Sequence, residues 1–400
     1  MRTAVVVGAG VGGLAVAGGL ARTGWHVTLL ERADRLRPGR AALLLWPNGV
    51  AALRALGLGA GLDAIATAVP PTGLRRANGQ WLRQPGRTPD AESGPVVVHR
   101  EDLHDAFVAG LGDHIDIRTG VTVRAIRPAA DRPTVGDGRT TWEADLVVAA
   151  DGLHSAVRQR LSPGAQVVSG GSTAWRAVVP WYRAPQLPSD TPSAGDLLGV
   201  GHRFAHASLG ERGSSGGSRR GGIYWLAVAP GASRPEPPEV QLTLLRRWFA
   251  GWPAPVGELL AATEAEDLVQ EPVAEVAPLP TGFDRPAGTG GYALLGDAAH
   301  GLVDHVGVGA CLALEDAATL QGLLVDAVPG TSLAQALQAY TRVRRPRVAR
   351  LARQSRRLGA VLQARGRLGA RARDVAFAPL VPHLLDSVTA AMAEWRPPTH

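Results

Sequence analysis

The chain opens on a compact β-branched run, Thr3 to Gly8, followed at once by Gly8-Ala9-Gly10-Val11-Gly12-Gly13 and then by small apolar residues in helical period through Arg22. A second short apolar run, His26 to Leu30, ends on Glu31. This order predicts a strand, a tight glycine turn, a helix and a second strand closing on a carboxylate, which is the opening βαβ unit of a dinucleotide-binding fold. Gly120 to Ile126 and Thr134 to Trp142 read as strands around a turn, and Ala144 to Ala150 as a buried strand that breaks at Asp151-Gly152. The chain from about residue 100 is therefore expected to return to the nucleotide domain.

From Gly170 to Pro280 the pattern changes to scattered short strands with Trp175, Trp181, Tyr224 and Trp225, separated by Pro-rich and Gly/Ser-rich connections such as Gly210 to Gly222. An inserted sheet domain that contacts substrate is predicted there. Gly291 to Leu295 is again a buried strand, ending at Gly296-Asp297, and from Gly309 onward the period is helical apart from expected breaks at Pro329, Pro379 and Pro382. There is no internal repeat and no second GxGxxG.

Composition narrows the class. With 45% apolar and 19% charged residues the chain reads as globular throughout, with no long disordered stretch. All 42 basic residues are Arg, so the +7 formal charge reflects an Arg-for-Lys habit rather than a nucleic-acid footprint. The clusters Arg342 to Arg357 and Arg365 to Arg373 are expected on a solvated helix face. A single cysteine, Cys311, excludes an intramolecular disulfide and any cysteine-based metal site, and points to a reducing cytoplasm. The N-terminal stretch has no cleavage-like end, and no run is long and apolar enough to span a membrane.

In Gly8-x-Gly10-x-x-Gly13 the first glycine allows the tight turn, the second lets backbone amides approach a pyrophosphate, and the third lets the helix pack on the sheet. The helix N-terminus then offers unpaired N–H groups to phosphate. Glu31, eighteen positions after Gly13, stands where a carboxylate accepts hydrogen bonds from an adenosine ribose and argues against a 2′-phosphate. The glycine motif by itself does not choose between NAD and FAD.

The later segments carry a family resemblance. Asp145-Leu146-Val147-Val148-Ala149-Ala150-Asp151-Gly152-Leu153-His154-Ser155-Ala156-Val157-Arg158 resembles the DG motif of class A flavoprotein monooxygenases, the para-hydroxybenzoate and salicylate hydroxylase type, and Gly296-Asp297-Ala298-Ala299-His300 resembles their GD motif. The resemblance extends to Val98 through His104, to Trp46-Pro47-Asn48, to Trp175-Arg176 and to Tyr340 through Arg350, and so covers nearly the whole chain. It implies an α/β chain: a Rossmann-like FAD-binding domain (GR2-type) with an inserted, mainly β-sheet substrate domain and a C-terminal helical region. The expected division is 1–168 with 281–345 for FAD, 169–280 for substrate with parts of 60–100 contributing, and 346–400 for the C-terminal helices.

For the site, the resemblance implies that Glu31, with Arg32 beside it, binds the adenosine ribose, Arg100 contacts the FAD, and Asp297 bonds the ribityl or pyrophosphate region. Asp151 and Gly152 would lie behind the cofactor, and Gly307, Gly309 and Ala310 would bring backbone to the flavin ring. An Arg offsets pyrophosphate charge, and a helix starting near Gly309 aims its positive end at the flavin pyrimidine. Plainer readings stand beside these: Asp297 as a helix cap, Arg100 paired with Asp102, Asp151-Gly152 as an ordinary turn, and Trp46, Trp175 and Trp225 as core rather than substrate pocket.

After the GD motif the family usually continues with a proline four residues past the histidine, then Gly-Gln-Gly and often an Asn. This chain has Asp304-His305, Gly307-Val308-Gly309 and Cys311 instead. Asp304 and His305 are thus candidate catalytic groups for moving a substrate proton, or else solvent-facing loop residues. The expected activity is an FAD monooxygenase that uses NAD(P)H as a transient co-substrate and O2, through a flavin C4a-hydroperoxide, to hydroxylate or epoxidise an aromatic or polyketide-like small molecule, with no metal. Two alternatives remain open: a family member performing a non-oxygenating oxidation or an acid/base rearrangement or cyclisation, and a non-catalytic flavin-containing binding protein. A monomer or homodimer without nucleic-acid partner is expected.

Overall fold

The computed structural model describes all residues except 87–93, 129–130, 211–219, 234, 304–306, 365 and 399–400, with 367 and 376–386 described by backbone alone. Its central layer is a six-stranded sheet in the order β18 (Asp284–Ala287), β19 (Gly290–Leu294), β12 (Leu146–Ala149), β1 (Arg2–Val7), β2 (Trp25–Leu30), β8 (Ile115–Arg118). Five of these strands run parallel, and β18 is an antiparallel edge. Val5, Val6, Val147 and Val148 are buried because helices cover the sheet, which is why these strands read as unbroken apolar runs.

Helix α1 (Val11–Arg22) packs on this sheet and against α9 (Gly309–Leu324). The approach is close because α1 is rich in glycine and alanine: a Cβ at Gly12 would come within 2.5 Å of Leu295 and 3.3 Å of Ala313. Helices α2 (Pro47–Ala55), α3 (Gly59–Asp63) and α4 (Arg100–Ala109) complete this side, and α5 (Ala156–Leu161) and α8 (Asp297–His300) are short turns of helix after β12 and β19.

The second large sheet has seven strands, β17 (Val269–Ala277), β13 (Gln166–Val179), β16 (Ile223–Pro230), β15 (Arg203–Ser208), β14 (Ala194–Leu198), β5 (Leu74–Arg76) and β6 (Trp81–Arg83) in spatial order. One face carries Trp175, Leu197, Phe204 and Trp225 into a core under α6 (Pro238–Trp248) and α7 (Val256–Ala262). Trp225 stacks on Phe204 and donates to Thr263 Oγ1 at 2.9 Å, and Trp175 donates to Gln241 Oε1 at 2.9 Å. Both tryptophans are therefore core residues whose N–H groups are satisfied inside.

The opposite face turns toward the half built on the six-stranded sheet. Its Leu74 and Leu198 pack with Leu302, Val308 and Leu312. Its Ala194 and Ala207 pack with Ala42 and Val97, which lie in a small sheet of β3 (Ala42–Leu45), β7 (Val96–His99) and β4 (Thr67–Ala68).

Several expected elements differ. The middle region is not a set of scattered short strands: β13 runs for 14 residues and two helices follow β16. The expected change of pattern at Gly170 falls inside β13, where a bulge between Ser169 and Ser172, with Gly171 at φ +73°, carries the strand across. Of Gly120 to Ile126 only β9 (Ala125–Ile126) is strand, paired with β10 (Thr134–Gly136), which in turn pairs with β11 (Thr141–Glu143).

The expected break at Pro329 falls between α9 and the helix that follows, but those at Pro379 and Pro382 do not interrupt the last helix. α10 (Thr331–Leu362) contains Pro346, and α11 (Gly366–Ala393) continues through Pro379 and Pro382. A proline removes one N–H and crowds the carbonyl four residues back, and a long helix absorbs that defect. The Arg342 to Arg357 stretch is not wholly a solvated face, since Arg344 is fully buried.

Candidate functional site

Register brings the motifs together. Val7 pairs with both Leu30 and Ala149, and Ala149 pairs with Leu294, so β1, β2, β12 and β19 end at one level of the sheet. The glycine turn, Glu31, Asp151-Gly152 and Gly296-Asp297 all leave the sheet from that edge. This is the carboxyl end of parallel strands, where ligands bind in open α/β sheets.

The three glycines have distinct surroundings. Gly8, at φ +99°, donates its N–H to Leu30 O at 2.7 Å, and a Cβ there would lie 2.5 Å from Ala150 O. At Gly13 a Cβ would meet Gly8 O at 1.9 Å, so helix and turn touch only because the side chain is a hydrogen. Around Gly10, the N-cap of α1, no atom of the described residues beyond its own chain neighbours lies within 4 Å of a Cβ position. The turn is thus packed against protein at its first and last glycines and open at its middle one.

Glu31 closes over this turn, accepting the Ala9 N–H at 2.8 Å through one oxygen and the Ala33 N–H at 2.9 Å through the other. Arg32 beside it is exposed. Asp151 accepts the Ala156 and Val157 N–H groups at 2.9 and 3.4 Å, capping α5, while Gly152 turns the chain at φ +80°. Burial pushes the Asp151 carboxyl up, against the hydrogen bonds that hold it ionised. Arg158, fully buried, donates to Leu153 O at 2.6 Å and Ala298 O at 3.1 Å and so ties the two turn segments together.

Arg100 opens α4 and its amide donates to Ala41 O at 3.1 Å. Ala41 is the one non-glycine at positive φ, +73°, among the described residues, and in that left-handed region a side chain costs about 1 kcal/mol. The guanidinium lies over Gly39, where a Cβ would come within 3.0 Å of it. Pairing with Asp102 does not occur: that carboxylate is buried and bonded by Arg220. Burial lowers the Arg100 pKa, opposed by Glu271 across the cleft, and Arg176, Tyr224 and Asp297 also face it. Arg100 therefore stands between the seven-stranded sheet and the Gly296-Asp297 turn.

Asp297 opens α8 and is exposed. Gly307 takes φ +71°, and Gly309 and the half-buried Ala310 begin α9. Asp304 and His305 lie outside the described residues. Cys311 is buried, its sulfur accepting the Trp46 N–H at 3.3 Å.

Behind these turns lies a buried ionic cluster that the motif reading missed. Asp316 accepts the Gly296 N–H at 2.9 Å, His300 Nε2 at 2.6 Å and Arg344 Nε at 2.6 Å. Glu315 accepts Asn48 Nδ2 at 2.6 Å and is bonded by Arg344 and Arg347. Burial alone would raise Asp316, but His300, Arg344 and the hydrogen bonds outweigh it and hold the carboxyl below its usual range; Glu315 is lowered likewise by its two arginines. Two adjacent acids inside the otherwise uncharged run Gly309–Leu324 were the available signal.

Over the site, the face of the seven-stranded sheet opposite α6 and α7 presents Arg176, Leu226, Ala205 and Asp196 in one row across four strands, with Tyr224 in the next. Arg176 is paired with Glu271, and Asp196 holds Arg203 at 2.5 to 3.0 Å. A cavity of about 620 Å³ lies between the start of α4, at His99 and Glu101, and the end of β13, at Val178, Trp181 and Tyr182.

An exposed middle glycine, a helix N-terminus, a ribose-level carboxylate and a half-buried arginine facing an aspartate fit the diphosphate and polyol of a flavin dinucleotide. Fold and site define a dinucleotide-binding α/β protein with a second sheet roofing the cofactor edge. A model of the FAD binding domain family matches residues 1–188 and 264–355, and the chain belongs to that family. Aurachin C monooxygenase/isomerase of Stigmatella aurantiaca is 30% identical to it, with 90% of each chain covered. 3-Hydroxybenzoate 6-hydroxylase of Klebsiella oxytoca is 31% identical over 91% of this chain and 89% of its own. The structure of Klebsiella pneumoniae HpxO complexed with FAD and uric acid superposes with a TM-score of 0.79 at 24% identity, covering 98% and 97% of the two chains, and shares the fold. The protein is an FAD-dependent monooxygenase.

Proposed function

We propose that this monooxygenase hydroxylates or epoxidises an aromatic or polyketide-like small molecule held between the flavin and the open face of the seven-stranded sheet, with NAD(P)H as reductant. The observation that carries the reading is the convergence of the glycine turn, Glu31, Asp151-Gly152 and Gly296-Asp297 at one sheet edge beneath that face. The relatives' names, which include hydroxylases of 3-hydroxybenzoate and urate, support the substrate class.

In this assignment Gly8, Gly10, Gly13 and the α1 N-terminus take the pyrophosphate, and Glu31 with Arg32 takes the adenosine ribose. Arg100 offsets phosphate charge, Asp297 accepts hydrogen bonds from the ribityl or pyrophosphate region, and Asp151-Gly152 shapes the groove behind. Gly307, Gly309 and Ala310 border the ring, where the α9 N-terminus favours negative charge. Bound FAD supplies electron transfer and oxygen activation. The chain orients substrate with Arg176 and Tyr224 on the open sheet face, and Asp304 or His305 moves the substrate proton.

Residues 1–168 with 281–345 form the FAD-binding domain in this reading, 169–280 with parts of 60–100 the substrate domain, and 346–400 the C-terminal helices. Among the described residues no helix is long and apolar enough to cross a membrane, and the lone buried Cys311 favours a reducing cytoplasm. A monomer or homodimer suffices, since every proposed site residue comes from one chain. The test is anaerobic mixing of the FAD-loaded protein with NADH or NADPH, then air, following flavin absorbance and oxygen uptake. Bleaching by one nicotinamide and substrate-stimulated reoxidation are expected. A flavin that stays oxidised across candidate substrates would overturn the monooxygenase reading in favour of acid/base chemistry or binding.

A further inference from the structure

The charges behind the Gly296-Asp297 turn are too deep to touch a ligand, yet hydrogen bonds tie them to it. One oxygen of Asp316 accepts both the Gly296 N–H and His300 Nε2, which bracket α8, the single helical turn that begins with Asp297. Because the carboxylate only accepts, His300 Nε2 must carry the proton. Gly296 sits at φ +60° and ψ −139°, a conformation closed to most residues, and without Asp316 its buried N–H would lose this partner. The other Asp316 oxygen is held from α10 by Arg344 Nε at 2.6 Å.

The cluster balances two carboxylates, Glu315 and Asp316, against two guanidiniums, Arg344 and Arg347. A buried set of this kind adds little net stability over apolar packing of the same volume. What it does impose is geometry, because each carboxylate oxygen is satisfied only when helix, turn and histidine stand in one arrangement.

We propose that Asp316 and Arg344 are positioning residues for the cofactor: through the Gly296 amide and His300 they hold α8 so that Asp297 faces the FAD. The inference rests on Asp297 as an FAD contact, and the test separates the two. Apoprotein is titrated with FAD by flavin fluorescence for wild type, Asp297→Asn, Asp316→Asn and the double variant, with thermal melts alongside. Each single change is expected to weaken binding by roughly tenfold or more, the loss of one hydrogen bond to a charged group. The double variant should be no more than about threefold worse than the weaker single, because both act through one turn.

Multiplying losses in the double variant would overturn the positioning role and leave Asp316 a stability element. An unchanged FAD affinity in Asp297→Asn would overturn the contact itself, and the proposal with it. If Asp316→Asn does not fold, His300→Gln and His300→Leu carry the test. Glutamine keeps an N–H for Asp316 and should bind FAD within about threefold of wild type, and leucine should lose roughly tenfold. Equal affinity in those two variants would overturn the proposal.

Discussion

Replacing Gly10 by alanine adds one methyl where no atom of the described residues beyond its chain neighbours stands within 4 Å, on a backbone at φ −73° and ψ −176° that any residue adopts. The apoprotein should therefore keep its stability within about 0.5 kcal/mol, or gain slightly as the unfolded chain loses freedom. The same methyl stands in the open middle of the turn, where the proposed pyrophosphate site needs a close approach to backbone amides. Forcing it back weakens charge-assisted hydrogen bonds worth ~1.5–3 kcal/mol each, so FAD affinity should fall by roughly ten- to hundredfold. Gly13→Ala is the contrast: its Cβ would lie 1.9 Å from Gly8 O, and α1 has to back away from the turn. That strain should cost about 3 kcal/mol, the upper end of ordinary overpacking, or more. Thermal melts of flavin-free protein and FAD titration by fluorescence separate the two. Wild-type FAD affinity in Gly10→Ala, or a melt as low as that of Gly13→Ala, would refute the reasoning.

Asp304→Asn should leave FAD content intact and lower turnover; unchanged turnover under saturating NAD(P)H and substrate removes Asp304 from the proton path. Glu315 and Asp316 have carboxyl groups held below their ordinary values, so their contribution is present above the unfolded values near ~4 and is lost as pH falls through the folded ones. Melting temperature should accordingly hold from pH 8 to about 5 and decline below about pH 4, with a shallower acid limb in Asp316→Asn. Trp225→Phe removes the bond to Thr263 in the core under α6 and α7 and should cost about 1–3 kcal/mol by thermal melt. Its FAD affinity should not move, and a drop of tenfold would place Trp225 in the site instead.

Much of the proposed cofactor edge was legible because its signals are local. Gly8, Gly10 and Gly13 are spaced by the geometry of one turn and one helix, and Glu31 by the length of the strand that follows. The Asp151-Gly152 and Gly296-Asp297 pairs each end a short apolar run, and the pairing of Val7 with Ala149 and of Ala149 with Leu294 sets them beside that turn. In each case a few consecutive residues carry the constraint, so a reader of sequence needs no distant partner to see it.

Other features depended on partners far along the chain. Trp175 and Trp225 are core rather than pocket because Gln241 and Thr263 receive their N–H groups, a choice that alternation within a strand does not make. Gly170-Gly171 stays within one strand because β17, some hundred residues further on, pairs on both sides of it and makes it a bulge. Arg344 belongs to an arginine-rich helical stretch that looks solvated, and only the packing of α10 on α9 brings it to Glu315 and Asp316. Sequence by itself determined where the glycine turn and the Asp151-Gly152 and Gly296-Asp297 turns fall along the chain, since those turns are built from adjacent residues. Tertiary structure alone decided which charges are buried and what they hold, because burial and ion pairing are properties of surfaces brought together from segments tens to hundreds of residues apart.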